Sequence, residues 1–399
     1  MQFVHADKVY PEVLGWADEL VRFRRCVHET PELGFDTPET VQRICQTLKS
    51  WGITTFDTEL VKGGVVVVID GERPGKTIAL RADIDALGMN DTTGKAWASR
   101  HAGCAHACGH DGHQTWLMGA LRFLHLHRNF AGRVVGLFQP AEEPVLGAKA
   151  VIASGFFEKF DVSEIFGAHT EPMLKKGVFG FRVGPLQAAC DYFWVKLHGK
   201  GAHGARPHQG VDPLPVACQI VNAVQTIVSR KINPIDTAVL SICSLNSGRF
   251  ESPNVIPTTL TFSGTARMYK EDVRDTIETN FKNMVNGLAQ ANGCTAEIKY
   301  ERSIHAVDNA KEQTLAGIAA AKALFGEQNV VDNMDPFMSS EDFAEYQQLV
   351  PGTMMRIGIR DEEHTAALHN TAFDFNDEVL PAAVSLFVRV VMDRLDGKL

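Results

Sequence analysis

No stretch of this 399-residue chain is apolar for long enough to span a bilayer. The opening residues, MQFVHADKVYPEVLGWADEL, lack the basic start, apolar run and small-residue cleavage site of a secretory signal, so the expected setting is the cytoplasm. Positive charge is in short supply as well. The 39 Lys and Arg are outnumbered by 48 Asp and Glu, giving a net charge of -9, and they are scattered. The electrostatic footprint of a nucleic-acid binder is missing, and neither nucleic acid nor membrane is expected as a partner. Eight cysteines are spread along the chain without a C-x-x-C pair, which argues against a disulfide framework. Most of them lie in apolar patterns and read as small core residues. Neither an internal repeat nor a low-complexity tract is present. What is there is globular: 45% hydrophobic and 22% charged residues are enough to bury a sizeable core in one large or two ordinary domains.

The N-terminal third alternates helical and strand patterns. Helical periodicity covers 11–30, and Asp36-Thr37-Pro38-Glu39 is a helix start, with a capping residue ahead of a first-turn proline. Apolar runs at 65–69, 78–84, 134–138 and 165–168 alternate with helical stretches at 111–128 and 146–154. That order predicts a helix-covered, mostly parallel sheet of the α/β class, with its active site in loops at the carboxyl ends of strands. From 187 the pattern becomes strand 192–197, helix 212–229, strands 237–245 and 258–266, helix 270–291 and strand 295–301. This βαββαβ order predicts a ferredoxin-like α+β domain. Helical patterns at 310–325, 340–349 and 376–394 then return around a strand at 354–359. The simplest account is an insertion: residues 1–186 plus 303–399 form the catalytic domain, and 187–302 form a domain set between its halves.

The densest set of ligand-type side chains is His101-Ala-Gly-Cys104-Ala-His106-Ala-Cys108-Gly-His110-Asp111-Gly-His113, with four histidines, two cysteines and an aspartate in 13 residues. A polar loop with solvated imidazoles is the bland account of any one of them. For the cluster a metal site is the better explanation, because Cys108-Gly-His110 brings a thiolate and an imidazole together across a flexible glycine. A helix starting at Asp111 would help to hold that thiolate deprotonated. The second feature is Glu142-Glu143, flanked by Pro140 and Pro144 directly after the run 134–138. Two solvated surface acids are the commoner fate of such a pair, but proline stops the strand here and puts both carboxylates where an open sheet keeps its site. In an extended segment adjacent side chains diverge, so one carboxylate can bind an ion while the other serves as general base. His169, at the end of the run 165–168, is a third candidate, and His369 has weaker local support.

Taken together these stretches resemble the peptidase M20 metallohydrolases, in the amidohydrolase branch of hippurate hydrolases, N-acyl-amino-acid deacetylases and auxin-conjugate hydrolases. The matching residues run from Arg24-Arg25-Cys-Val-His28-Glu-Thr-Pro-Glu-Leu-Gly34 through Leu80-Arg-Ala-Asp83-Ile-Asp85, His106-Ala-Cys-Gly-His110-Asp-Gly-His113, Gln139-Pro-Ala-Glu-Glu143 and Gly167-Ala-His169. They continue at Gly199-Lys-Gly-Ala-His203, Asn254-Val-Ile-Pro257, Gly264-Thr-Ala-Arg267 and Met338-Ser-Ser-Glu-Asp-Phe343. The resemblance implies two divalent metal ions per subunit, with Cys108 as bridging thiolate and His110, Glu143, His169 and His369 as the other ligands. It further implies Glu142 as general base and Asp83 as an orienting residue. His203, Asn254 and Arg267 would hold the substrate carboxylate and polarise the scissile carbonyl, and the His203 position implies a homodimer joined through the inserted domain. Two stretches depart from the pattern, Leu87-Gly88-Met89-Asn90 and Ser247-Gly-Arg-Phe-Glu-Ser252. Both bear on substrate identity and leave the metal chemistry untouched.

The expected reaction is hydrolysis of the amide bond of a small N-acyl amino acid or related conjugate, with zinc, manganese, cobalt or nickel as the metal. A dipeptidase would use the same mechanism. Two rivals come from other classes: a cysteine-nucleophile hydrolase built on Cys108, and a non-catalytic metal-binding sensor or scaffold.

Overall fold

The computed structural model describes residues 2–396; residues 1 and 397–399 of the expected catalytic domain lie outside them. The chain splits into two compact units. The first takes Met1–Leu186, Val307–Pro336 and Asp342–Leu399, and the second takes Gln187–Ala306 with Phe337–Glu341.

The first unit is built on an eight-stranded sheet. At its centre Ala131–Gln139, Arg73–Asp83, Val162–Lys175 and Gly352–Arg360 run parallel to one another. The flank is different: Val65–Asp70 pairs antiparallel with Ala131–Gln139, and the two-residue strand Phe56–Asp57 pairs antiparallel with Val65–Asp70. The central strands have almost no exposed residue in their second halves, as expected for a sheet covered on both faces, and this is why they read as unbroken apolar runs. Helices His110–Leu126, Ala17–His28 and Leu380–Leu395 pack on one another, and the first and last of them meet the sheet. The helix His110–Leu126 is buried along nearly its whole length, so little amphipathic signal survives in it. Its first turn is pressed so closely to the C-terminal segment that a Cβ on Gly112 would come within 2.1 Å of the Phe375 ring.

Several element boundaries differ from the sequence reading. The pattern at 11–30 breaks into Pro11–Gly15 and Ala17–His28, and that at 146–154 into Gly147–Ala153 and Phe156–Phe160. The pattern at 340–349 contains only the single turn Phe343–Tyr346. The strand carrying His169 runs from Val162 to Lys175, so this histidine lies within a strand and not at its end.

In the second unit the order is strand Ala189–His198, helix Pro213–Lys231, strands Ala238–Ser247 and Thr259–Met268, helix Glu271–Ala291 and strand Thr295–Ile304. Thr259–Met268 and Ala189–His198 occupy the middle of an antiparallel four-stranded sheet. Alternate residues Leu260, Phe262, Ala266 and Met268 join Ile220, Val224, Ile277 and Phe281 in a separate apolar core. Phe337–Glu341 belongs with this unit, although the sequence reading gave it to the catalytic domain. Its backbone and side chains bond there: Ala188 N donates to Phe337 O and to Ser339 O, and Arg267 NH1 donates to Ser340 Oγ at 2.5 Å. Such contacts leave no periodic signal in the sequence.

The first unit also buries ions. Arg24 and His28 lie on one face of Ala17–His28 and are 0% and 1% exposed. The His28 ring sits between two carboxylates, Asp111 at 2.7 Å and Asp91 at 3.3 Å. Burial alone would lower its pKa, but the two aspartates outweigh burial and raise it to about 9. A group raised in the folded state stabilises that state fully below its ordinary 6.5, and the contribution disappears as pH rises through about 9. The melting temperature is therefore expected to fall between about pH 6.5 and about pH 9, and to fall less in His28→Gln, which has no proton to lose in that range.

Candidate metal centre

Strand ends and the loops after them build the site. Arg73–Asp83 ends on Asp83, with Asp85 just beyond it, and Ala131–Gln139 leads into Glu142 and Glu143. The strand Val162–Lys175 carries His169, and Gly109, at φ 85°, turns the chain from Cys108 into the helix that begins at His110. Only glycine fits at 109, because a Cβ there would meet Thr170 Cγ2 at 2.5 Å.

Cys108, His110 and His169 each present a donor atom, and these atoms lie within 4.8 Å of one another; the same holds for Cys108, Glu143 and His369. Cys108 is the shared member, so the two triads abut at its sulfur. Cys108 Sγ is 3.4 Å from His169 Nε2, and His369 Nε2 is 3.6 Å from Glu143 Oε2. Each buried imidazole is aimed by its other nitrogen. His110 Nδ1 donates to the Asp85 carbonyl at 2.8 Å and His169 Nδ1 to the Thr170 carbonyl at 2.7 Å, which leaves both Nε2 atoms turned toward the sulfur. His369 is the exposed member, held at φ 60° with its amide donating to Ala107 O at 2.8 Å.

The donor set fits divalent cations. Among the described residues His110 Nε2 and Glu143 Oε1 are buried without a hydrogen-bond partner. They lie 3.8 Å apart, with Asp83 Oδ2 3.7 Å from the same nitrogen, and buried polar atoms without a hydrogen bond are costly unless a cation or another partner satisfies them. Burial pushes the Cys108 thiol well above its ordinary value and His169 well below. His110 moves the other way: burial lowers it, but Asp83 and Cys108 outweigh burial and hold this imidazole well above its ordinary value. Burial also raises the Glu143 carboxyl to about 7, against the pull of His110. A thiolate, imidazoles and carboxylates suit zinc and its first-row neighbours.

The Glu142-Glu143 segment is a turn and not an extended strand. Ala141 and Val145 have φ of 57° and 61°, and Val145 N donates to Glu142 O at 2.7 Å. Divergence in an extended chain therefore does not separate the two carboxylates. Instead both backbone amides point at one side chain, Glu142 N to Asp85 Oδ1 at 3.0 Å and Glu143 N to Asp85 Oδ2 at 3.2 Å. Asp85 thus holds the acidic turn with its carboxylate and His110 with its carbonyl. In Asp85→Ala both amides lose their acceptors, each at a cost of about 1–3 kcal/mol, and kcat is expected to fall by roughly 10- to 100-fold, measured at saturating metal.

Asp83 binds His113 Nδ1 at 2.5 Å and Arg81 at 2.8 Å, and His113 Nε2 accepts from Thr170 N at 3.0 Å. Both nitrogens of His113 are thereby engaged, so His113 is a strut of the site. Asp83 orients that strut directly, while the contact that aims His110 comes from Asp85. Arg81 also reaches Asp342 at 2.8 Å, and Asp342 accepts from Gln139 Nε2 and from Ala148 N at 2.8 Å. Asp85 and Asp342 were not assigned roles from the sequence. The available signal was a charged residue at every second position, 81, 83 and 85, of a run otherwise apolar enough to be buried. His203 and Asn254 lie in the second unit, beside one another, where Val255 pairs with His203. Arg267 is half-buried in the same unit, on strand Thr259–Met268.

The sequence profile of peptidase family M20/M25/M40 matches residues 79–393. The chain belongs to this family. It is 36% identical to a hippurate hydrolase of Campylobacter jejuni over 96% of this chain and 99% of that one. It is likewise 36% identical to an N-acetylcysteine deacetylase of Bacillus subtilis, over 94% and 96% of the two chains. Among solved structures it is similar to a Bacillus subtilis dinuclear metal-binding peptidase from the M20 family, with TM-score 0.84 and 32% identity over 96% of this chain and 99% of that one. The protein is accordingly an M20 family hydrolase. Among the described residues no helix is long and apolar enough to cross a membrane.

Proposed function

We propose that this M20 hydrolase cleaves the amide bond of small N-acyl amino acids or related conjugates, with Glu142 as the proton carrier. The observation that carries the reading is the pair of donor triads meeting at Cys108, next to a carboxylate whose backbone is tied to Asp85. Bound divalent cations, whether zinc, manganese, cobalt or nickel, supply Lewis acidity toward the amide carbonyl and the attacking water.

Cys108, His110, Glu143, His169 and His369 hold those cations in this reading. Glu142 takes the proton of the attacking water and delivers it to the leaving nitrogen. His203 donates to the oxyanion that develops on the carbonyl, an interaction for which loss of one donor costs about 2.7–4 kcal/mol. Arg267, aided by Asn254, grips the substrate carboxylate with the planar fork of its guanidinium. The names of the two similar enzymes support this choice of substrate class, since hippurate and N-acetylcysteine are both N-acylated amino acids. A dipeptide offers the same carboxylate and amide and is the second substrate to test. The reading includes a homodimer joined through the second unit, whose edge strand Ala238–Ser247 exposes Val239 and Leu245, and a cytoplasmic setting.

The test is a panel of N-acetyl, N-benzoyl and dipeptide substrates given to metal-reconstituted and chelator-treated protein. Turnover on N-acyl amino acids that is lost with the metal is the expected result. Turnover that survives chelation but not thiol alkylation would replace it with the cysteine mechanism. Bound metal with no turnover across the panel would favour a sensor.

A further inference from the structure

The motif from Arg24 to Gly34 contributes no ligand, yet it touches the supports of the metal centre at several points. Glu32 O accepts from Ala86 N at 2.8 Å, beside Asp85, and Gly34 O accepts from Ala141 N at 3.1 Å, beside Glu142. Arg24 Nε donates to Asp377 at 2.7 Å, and its NH1 lies 3.4 Å from Asp111 Oδ2 and 3.6 Å from Asp374. Asp374 and Asp377 follow His369 in the chain, and Asp111 directly follows His110.

Within this frame His28 is the one residue that ties two site-bearing segments through a single ring. Its Nδ1 faces Asp111 Oδ2 at 2.7 Å, and its Nε2 faces Asp91 Oδ2 at 3.3 Å. Asp111 sits in the first turn of the helix His110–Leu126, is 0% exposed, and accepts from Gly112 N with its other oxygen at 3.0 Å. Asp91 is fixed in its turn by Thr93 N and Ser99 N, both at 2.8 Å. The next residue, Thr92, donates to Thr371 O at 2.7 Å, on the loop that carries His369. One imidazole therefore links the turn that aims His110 to the loop that rests on the His369 segment.

We propose that His28 is a positioning residue of the metal centre: by bonding Asp111 and Asp91 through its two ring nitrogens, it sets the spacing between His110 and the His369 loop. The inference rests on the metal-centre reading above. Its physical basis is that partners one shell out from a metal fix ligand orientation, and their loss costs about 10- to 100-fold in affinity. A purely structural histidine would lower stability and leave metal affinity and ligand geometry alone.

Titration of metal-free protein with cobalt(II) at pH 7, well below the melting temperature, separates the two roles. Wild-type protein is expected to show a thiolate-to-cobalt charge-transfer band from Cys108, together with visible d–d bands. His28→Gln keeps one donor at similar size but loses the second donor and the charge, and is expected to bind cobalt about 10- to 100-fold more weakly, with displaced d–d bands. Asp91→Asn alters the far end of the link, in the loop before the helix His110–Leu126, and is expected to change affinity and spectrum in the same direction, which gives an answer even if His28→Gln fails to fold. Wild-type affinity and an unshifted spectrum in the folded variants, with only a lower melting temperature, would overturn the proposal. Wild-type protein that takes up no cobalt would overturn the metal-centre reading itself, and the positioning role with it.

Discussion

Glu142→Gln is expected to lower kcat by about 100- to 10,000-fold, the range that a positioned proton carrier contributes, while the metal content stays at the wild-type level. The substitution preserves size and the backbone amide that binds Asp85 at 3.0 Å, so the turn should hold its shape. What is removed in this reading is a base able to take a proton from water at a buried position; Glu142 is only 8% exposed, and bulk solvent cannot replace it efficiently. Neither triad meeting at Cys108 includes Glu142. A donor atom of Glu142 nevertheless lies within 4.8 Å of donors on His110 and Glu143, which gives the experiment a second possible outcome. Metal content falling in step with kcat would make Glu142 a ligand and would send the search for the base elsewhere. Metal analysis beside steady-state kinetics on the same preparation distinguishes the two.

Cys108→Ala should have a comparably large effect for a different reason. His369 belongs to one triad and His169 to the other, whereas Cys108 belongs to both. Removing His369 is expected to cost one ion per chain, and removing Cys108 to weaken both. The expected result for Cys108→Ala is fewer than one tightly held ion per chain, as measured by mass spectrometric metal analysis, with kcat/KM down at least about 100-fold. Stability carries the same signature. A cation that binds only the folded chain adds about 2.7 kcal/mol at one hundred times its Kd, so adding metal should raise the melting temperature of wild-type protein and barely move that of Cys108→Ala. Because burial keeps the thiol protonated in the absence of a cation, loading the wild type should also release a proton. An unchanged metal content in Cys108→Ala would mean that the ions are held by His110, Glu143 and the other donors without a bridge.

The amino-acid sequence by itself determined the class of the fold, because the central strands are buried on both faces and so leave unbroken apolar runs between helical patterns. It also singled out candidates for the chemistry: Cys108-Gly-His110 and Glu142-Glu143 carry donor types too dense, and too closely joined to predicted strand ends, for ordinary surface loops. In the second unit the alternation over 192–197, with strand patterns at 237–245 and 258–266 and helical ones between and after them, made the βαββαβ order legible. Only the tertiary structure decided which donors come within reach of one another. That Cys108 stands in both triads, that His113 is a strut and that Asp85 aims His110 all depend on contacts between segments far apart in the chain. The turn at Glu142-Glu143 was hidden for a related reason: Ala141 and Val145 hold positive φ in a turn bonded to Gly34 and Asp85, and neither residue type signals it locally. Local patterns in a sequence record periodicity and burial, whereas the direction of a buried polar side chain is set by the partner that satisfies it, which periodicity does not encode.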